Sequence, residues 1–343
     1  MATLQLIWLL LIGVLIIGYA ILDGFDLGVG CWHLCARKGA ERSRFMRAIE
    51  PFWDGNEVWL MTGGGALFAA FPPVYATVFS GFYLALMLVL VGLIFRAVSI
   101  EFRNRVADPR WVAAWDFAFA AGSVLPSLLY AVAVGNLLRG LTLNAAGDYT
   151  GGFFALLNPY ALLFGIAGLA MIALHGALYL AVKTDGETQA RVRVWAARAW
   201  TVYLPLFLAA AGWTAACYLR GGVVLPVALA VAALAALALL RRFNGRGEDL
   251  KAFLASCAGI ALVLLAVVAA LFPNLVVASN DAALSLTIYN SSSSRLTLVT
   301  MLVIALLGMP VVIGYTVFIH RVFKGKVWGA RESAKSVHAA PSR

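Results

Sequence analysis

The stretch EPFWDGNEVWLMTGGGALFAAFP, residues 50–72, follows a first apolar segment that ends in AILDGFDLGVG, residues 20–30. Together they combine long apolar runs with carboxyl groups. The acidic residues in or beside these runs are Asp23, Asp26, Asp54 and Glu57. A carboxylate inside a membrane helix is costly unless it is paired, hydrated or protonated, so such residues usually have a function. The two stretches therefore predict membrane helices that carry functional acids.

Composition indicates the same class of protein. The chain has 343 residues, of which 63% are hydrophobic and 12% are charged, and its mean hydropathy is +0.90. Soluble domains contain roughly 45–50% apolar and about 25% charged residues. We therefore expect an all-α integral membrane protein. Its first apolar segment lacks the basic start and cleavage site of a signal peptide, so we expect it to remain as a membrane helix.

Nine windows are long enough to cross a membrane, which takes about 20 mostly apolar residues. The predicted spans are 4–31, 54–76, 79–100, 113–138, 156–182, 197–219, 222–240, 252–274 and 297–320. We expect a single transmembrane domain over residues 1–343, built as two four-helix bundles plus one appended helix. Residues 321–343 form a basic tail.

The basic residues indicate how the chain is oriented. All of the 26 Lys and Arg residues except Arg139, Arg220 and Arg295 fall at alternate connections or in the tail. The positive-inside rule places those connections in the cytoplasm, with an external N-terminus and a cytoplasmic C-terminus. The net charge of +10 then reflects topology rather than nucleic-acid binding. The external connections 139–155 and 275–296 are rich in Gly, Ser, Asn and Asp, which predicts loops.

This topology gives the acids a depth in the membrane. The first helix runs inward, so Asp23 lies about 28 Å below Leu4 at 1.5 Å per residue. Asp26 follows it, and Asp54 and Glu57 begin the second helix on the same cytoplasmic side. Each pair is spaced i, i+3 and therefore shares one helical face. Such a chain of carboxyls can relay protons from the cytoplasm.

Structural explanations remain open beside the relay. Acids near helix N-termini favour the helix dipole and cap free N–H groups, which would account for Asp116 and for the acids that begin the second helix. Asp23 and Asp26 lie near the C-terminal end of their helix, where the dipole disfavours them. A salt bridge to Arg96 or to a loop arginine is the alternative for these two.

Glycines accompany the acids. Gly24 and Gly28 form a G-x-x-x-G step, and residues 63–65 are three consecutive glycines. Small residues allow membrane helices to pack closely. The triple glycine has a second interpretation, a kinked or re-entrant backbone that lines a polar cavity.

Metal and haem ligation find little support in the sequence. Cys31 and Cys35 form C-x-x-x-C, whereas c-type haem attachment needs C-x-x-C-H, so we expect these thiols to pack and no metal to bind. His175 is the histidine placed in mid-membrane, and it is either a haem ligand or a hydrogen-bonded packing residue. No complete active site is visible in this chain alone.

Four strings are specific enough to indicate a family. They are AILDGFDLGVG (20–30), WDGNEVWLMTGGGALFAAFP (53–72), FSGFYLALMLVLVGLIFRAVSIEFR (79–103) and TIYNSSSSRLTL (287–298). Together they closely resemble subunit II of the cytochrome bd ubiquinol oxidases, including the cyanide-insensitive branch. The resemblance covers most of the chain and is strongest over residues 15–165.

The resemblance implies an enzyme subunit of the aerobic respiratory chain in the bacterial inner membrane. Such a complex oxidises quinol and reduces O2 to water, with proton uptake from the cytoplasm and no pumping. Subunit I, the expected partner, holds haem b and haem d, and subunit II is a nine-helix protein without haem ligands of its own. A small single-helix subunit is a further candidate partner, and some members of the family hold a structural quinone in subunit II.

The resemblance also assigns residues. The family's proton path maps onto Asp54 as the relay, with Asp23 and Asp26 next, and Trp53 is placed to shield Asp54 from lipid. Supporting residues added by proximity alone are Asn56, Glu57 and Arg96. No cofactor-binding residue of this chain is assigned.

Two other functions compete with the oxidase subunit. A proton-coupled multipass transporter would have the same acids, glycines and positive-inside bundle, and a pure assembly scaffold would need none of the acids to titrate. Haem absorption bands in membranes that contain the chain and its partner would distinguish the oxidase from a transporter.

Overall fold

The computed structural model describes residues 1–37, 39–219 and 222–327. The α-helices are α1 (Ala2–His33), α2 (Ala40–Ile49), α3 (Trp53–Ala70), α4 (Pro72–Gly81), α5 (Tyr83–Phe102), α6 (Pro109–Arg139), α7 (Gly152–Ala155), α8 (Pro159–Lys183), α9 (Gly186–Cys217), α10 (Val224–Arg246), α11 (Asp249–Leu271) and α12 (Arg295–Val322). Two short strands, β1 (Asn274–Val276) and β2 (Leu286–Thr287), pair antiparallel.

Eight helices within the described residues are long and apolar enough to cross a membrane: α1, α5, α6, α8, α9, α10, α11 and α12. This confirms the all-α membrane protein. The count of nine spans and the two four-helix bundles stay predictions. The remaining candidate, α3, has 18 residues and a length of about 27 Å. Its acidic start and three glycines make it less apolar than the other eight.

The predicted window 54–76 is wrong at its end, because α3 stops at Ala70. Proline has no N–H to donate, and its ring clashes with the carbonyl of the preceding turn, so the consecutive prolines 72 and 73 favour a break in the helix. Pro72 instead begins α4, where a missing N–H costs nothing. The next predicted span, 79–100, begins too early, since α4 extends to Gly81 and α5 begins at Tyr83.

The predicted span 197–219 is also too short, because α9 begins at Gly186. Hydropathy misses its first turns because they carry arginines. One of these, Arg193, donates from Nε to Asp249 Oδ1 at 2.7 Å and so joins α9 to the start of α11. A membrane helix can therefore extend beyond its apolar segment where its charged residues form ion pairs with other helices.

The helices have two distinct ends. We call the end where α1, α5, α8, α10 and α12 finish the basic end, because most Lys and Arg residues lie there. At the opposite end, the two predicted loops fold against each other. A bridge joins Leu141 to Ala278, and Asn280 Oδ1 accepts from Leu143 N at 3.0 Å. The residues predicted as loops thus also form α7 and the two short strands.

The first helix is central and packs against α3, α6, α8 and α11. Its closest approach is to α8, where a Cβ added to Gly28 would lie 2.6 Å from Gly176 Cα. Close packing therefore explains Gly28. The second interpretation of residues 63–65, a kinked or re-entrant backbone, finds no support, because α3 continues through them and a Cβ on Gly63 would meet Ile16 at 3.2 Å.

Two alanine substitutions on α1 are expected to have opposite effects. Gly28→Ala should lower the free energy of unfolding by about 1–3 kcal/mol, because the new methyl group overlaps the α8 backbone. Gly13→Ala should be neutral or stabilising, since a Cβ there meets no described atom within 4 Å and alanine favours a helix. Thermal unfolding of the purified complex in detergent measures both. Equal shifts would contradict the close approach.

Candidate functional site

Three helices bring polar side chains together near the basic end. Asp23 and Asp26 come from the last third of α1, and Arg96 comes from α5; all three are fully buried. Asn56 and Glu57 come from the first turns of α3. We call these five residues the acid cluster. The structure therefore brings together most of the residues predicted from the sequence.

The contacts within the acid cluster are specific. Arg96 Nη1 lies 2.7 Å from Asp23 Oδ1, and Arg96 Nη2 donates to Glu57 Oε1. Asn56 Nδ2 donates to Asp26 Oδ2 at 2.7 Å. Asp23 therefore makes the predicted salt bridge to Arg96, whereas Asp26 pairs with an amide instead of a cation.

The acid cluster has more acidic groups than basic ones. Asp23, Asp26 and Glu57 supply three carboxyls against the single guanidinium of Arg96. Asp23 Oδ2 and Asp26 Oδ1 are buried with no hydrogen-bond partner in the described residues. Buried charges are costly when they are not fully compensated, so the arrangement favours the binding of protons.

A tyrosine pair continues the acid cluster toward the middle of the bundle. Tyr19 lies one turn before Asp23 on α1, and its hydroxyl is 3.2 Å from that of Tyr130 on α6. Both rings line a cavity of about 310 Å³ whose walls are almost entirely apolar. Neither tyrosine was predicted, because nothing in the local sequence indicates that two remote hydroxyls meet.

Asp54 stands apart from the acid cluster. It is exposed in the first turn of α3 and makes no hydrogen bond or ion pair with the described residues. It shares a face of α3 with Val58 and Met61, which are 46% and 77% exposed. Trp53 is partly buried and packs on the core. The roles predicted for Asp54 and Trp53 therefore stay predictions.

A second buried cluster lies closer to the basic end. Asp116 of α6 binds His33 Nε2 at 2.6 Å, Arg42 Nη1 at 2.8 Å and Arg103 Nε at 2.5 Å. It thereby joins α1, α2 and α5 to α6. The capping explanation for Asp116 is wrong, because α6 begins at Pro109 and Asp108 supplies the cap. His33 and the two arginines were missed, although all of them occur at predicted helix ends on this side.

His175 is a hydrogen-bonded packing residue, the second of the two alternatives predicted for it. Its Nε2 lies 2.9 Å from the carbonyl of Ile21 and its Nδ1 lies 2.7 Å from Ser256 Oγ. The ring also stacks on Phe253 at 4.9 Å. Both nitrogens are occupied, and the adjoining pocket is only about 10 Å³, so the residue does not fit a haem ligand. No group of three metal-binding side chains occurs in the described part of the chain.

These features define a multi-pass membrane protein with buried acids near one end of its bundle. The family model described as cytochrome bd terminal oxidase subunit II matches residues 4–323. The chain therefore belongs to the family of subunit II of the cytochrome bd terminal oxidases.

Relatives and a solved structure agree with this assignment. The chain is 38% identical to cytochrome bd-I ubiquinol oxidase subunit 2 of Escherichia coli K12, with 94% of this chain and 95% of that protein aligned. It is 35% identical to cytochrome bd ubiquinol oxidase subunit 2 of Bacillus subtilis, with 95% and 98% aligned. The bd oxidase structure from Geobacillus thermodenitrificans has a chain of the same fold, with a TM-score of 0.71 at 18% identity and 94% and 98% coverage.

The predicted family is thus confirmed, and with it an enzyme subunit of the respiratory chain. Family membership implies a complex that contains haem and in which subunit I is the partner. The eight apolar helices found in the described residues, together with the family, make the chain a multi-pass protein of the inner membrane. The transporter alternative loses its support, whereas the pure assembly scaffold stays an alternative.

Proposed function

We propose that this chain is subunit II of a bd-type quinol:dioxygen oxidoreductase and that its acid cluster supplies protons for the reduction of O2 to water. The basic end faces the cytoplasm, the N-terminus is external and the C-terminus is cytoplasmic. The distribution of Lys and Arg supports this orientation. Protons then enter from the cytoplasm and move toward subunit I.

One observation carries the proposal: the acid cluster holds three carboxyls and a single guanidinium, and two of the carboxyls, Asp23 and Asp26, are fully buried with it. A structural ion pair needs one acid for one base. Additional buried acids destabilise a membrane protein unless they hold protons, and such residues typically mark proton relays. One carboxyl oxygen of Asp23 and one of Asp26 have no hydrogen-bond partner, so a proton can bind to either of them.

The acids differ in how exposed their side chains are, and this difference supports a direction for proton transfer. Asp26 and Asp23 are separated by three residues on α1 and are fully buried. Glu57, which shares Arg96 with Asp23, is 26% exposed at its side chain, and Asp54 one turn earlier on α3 is exposed. Protons thus pass from the buried acids of α1 to Glu57 and leave through Asp54.

The exposed face of α3 is the place we assign to subunit I. This face combines the Asp54 carboxylate with the apolar side chains of Val58, Met61 and Phe68. A charge facing lipid is costly, whereas a protein partner can pair or hydrate it. Trp53, at the start of the same helix, then borders the Asp54 contact and limits access from lipid.

The haems b and d and the oxidation of quinol belong to subunit I in this proposal. His175 uses both of its nitrogens, so it does not support haem ligation here. The apolar cavity between α1 and α6 supports a structural quinone, whose tail suits the apolar walls and whose oxygens suit the hydroxyls of Tyr19 and Tyr130. A small third subunit and bound lipids stay predictions.

Substitution of Asp54 tests the proton exit. Asp54→Asn should lower steady-state O2 consumption about tenfold or more, an increase of at least about 1.4 kcal/mol in the barrier. The haem content and the yield of complex should not change, because Asp54 makes no hydrogen bond or ion pair with the described residues. Glu101→Gln, at an exposed acid of α5, is the matched control. Normal turnover in Asp54→Asn would remove Asp54 from the relay.

A further inference from the structure

An aromatic layer separates the acid cluster from the basic end. The Phe52 ring lies 6.3 Å from that of Phe25, which directly precedes Asp26, and Asn56 follows Phe52 by one turn. The His320 imidazole, in the last turn of α12, lies 4.6 Å from the Phe52 ring and 6.4 Å from the Phe25 ring. His320 is thus a titratable ring in contact with both phenylalanines of this layer.

The nitrogens of His320 are arranged for proton exchange. Nδ1 lies 2.9 Å from the carbonyl of Thr316, which only accepts, so Nδ1 carries a hydrogen. In the neutral ring Nε2 therefore has a free lone pair, and it has no hydrogen-bond partner in the described residues. The side chain is partly buried at the end of the bundle. A ring in this state binds and releases a proton at one defined atom.

The chain that follows α12 fixes His320 in place. Residues 323–327, which we call the C-terminal strap, cross the ends of α8 and α2. Lys183 Nζ donates to Phe323 O at 2.8 Å, and Val327 N donates to Lys183 O at 2.8 Å. Arg44 Nε donates to Val327 O at 2.6 Å. These bonds matter because Leu298 is the buried residue found in α12, so packing alone holds this helix weakly.

Three charged residues lie near the His320 ring or next to its contacts. Lys183 on α8 lies 4.9 Å from the centre of the Phe52 ring, Asp26 on α1 follows Phe25, and Arg321 is the neighbour of His320 on α12. The ring therefore contacts Phe52, over which the buried cation of Lys183 lies, and Phe25, whose neighbour in sequence is the buried carboxyl of Asp26. A proton that it releases is attracted toward the acid side.

We propose that His320 is the proton-collecting residue of this subunit, which takes protons at the cytoplasmic surface and passes them toward Asp26. Nε2 accepts a proton from water to give an imidazolium, and the imidazolium transfers that proton over water to the carboxylate, which restores the neutral ring. The proposal rests on the relay function of the acid cluster. It identifies the residue through which protons reach the acid cluster.

Chemical rescue tests the proposal in the complex with subunit I. His320→Ala and His320→Phe should both lower O2 consumption several-fold, and added imidazole at millimolar concentration should restore it, because a mobile imidazole carries the same proton. Phe keeps a ring against Phe52, so a loss common to both variants is not a loss of packing. Tetramethylammonium chloride at equal ionic strength is the control and should restore nothing.

Two results would overturn the role of His320: unchanged turnover in His320→Phe, or a loss that imidazole does not relieve. Asp26→Asn separates this proposal from the function on which it rests. Its turnover should be low and insensitive to imidazole. Full turnover in Asp26→Asn overturns the relay through the acid cluster, whereas full turnover in His320→Phe beside a slow Asp26→Asn overturns only the role of His320.

Discussion

Replacement of Arg96 by leucine is expected to lower the free energy of unfolding by about 3–5 kcal/mol, enough to deplete the assembled complex from membranes. Arg96 is fully buried and binds both Asp23 and Glu57. Its loss leaves two acids at membrane depth with no cation. Removal of one partner from a buried ion pair costs far more than replacement of the whole pair, because the remaining charge is uncompensated.

A compensated variant isolates this effect. Arg96→Leu combined with Asp23→Asn and Glu57→Gln removes the charges together and should recover most of the stability lost in Arg96→Leu. Thermal unfolding in detergent and the yield of haem-containing complex measure both variants. If the triple variant were as unstable as Arg96→Leu, packing of the Arg96 side chain rather than charge balance would be its main contribution.

Asp26→Asn is expected to separate stability from activity. Turnover should fall about tenfold or more, since the amide cannot accept and release a proton. Stability should stay equal or rise, because the amide oxygen can still accept from Asn56 Nδ2 and one buried acid is removed. Oxygen consumption and thermal unfolding of the same preparation give the two values.

Asp148→Asn is the control, since Asp148 is an acid in a loop at the opposite end of the bundle. It should retain full turnover. A stable Asp26→Asn complex with normal turnover would show that Asp26 is only a structural acid. A complex that fails to assemble would contradict the expected stability.

The sequence predicts most of the fold because hydropathy determines which segments enter a membrane. It fails at particular residues. Window averages continue past Ala70, although Pro72 ends the helix through local sterics that hydropathy does not include. They also begin α9 too late, because Arg193 lowers the average while its bond to Asp249 keeps those turns helical. Such partners are remote in sequence and cannot be seen in a window.

The sequence predicts the acidic residues of the candidate site better than it predicts the residues that bind them. Asp23 and Asp26 stand out because charge is rare in apolar runs, and Arg96 was one of two alternatives for their pairing. Tyr130 and His320 could not be found, since a tyrosine or histidine in a membrane segment is common and its neighbours depend on helix packing. The exposure of Asp54 likewise depends on which face of α3 the other helices cover.

Proton uptake by the fully reduced complex after an oxygen pulse is the decisive measurement. Vesicles with the basic end outward and a pH-sensitive dye outside report the rate at which protons enter from that side. The wild-type complex should take up protons together with haem oxidation, and Asp26→Asn should take them up about tenfold or more slowly with its haem content unchanged. Equal uptake rates in the two complexes would show that protons reach oxygen without the acids of this subunit.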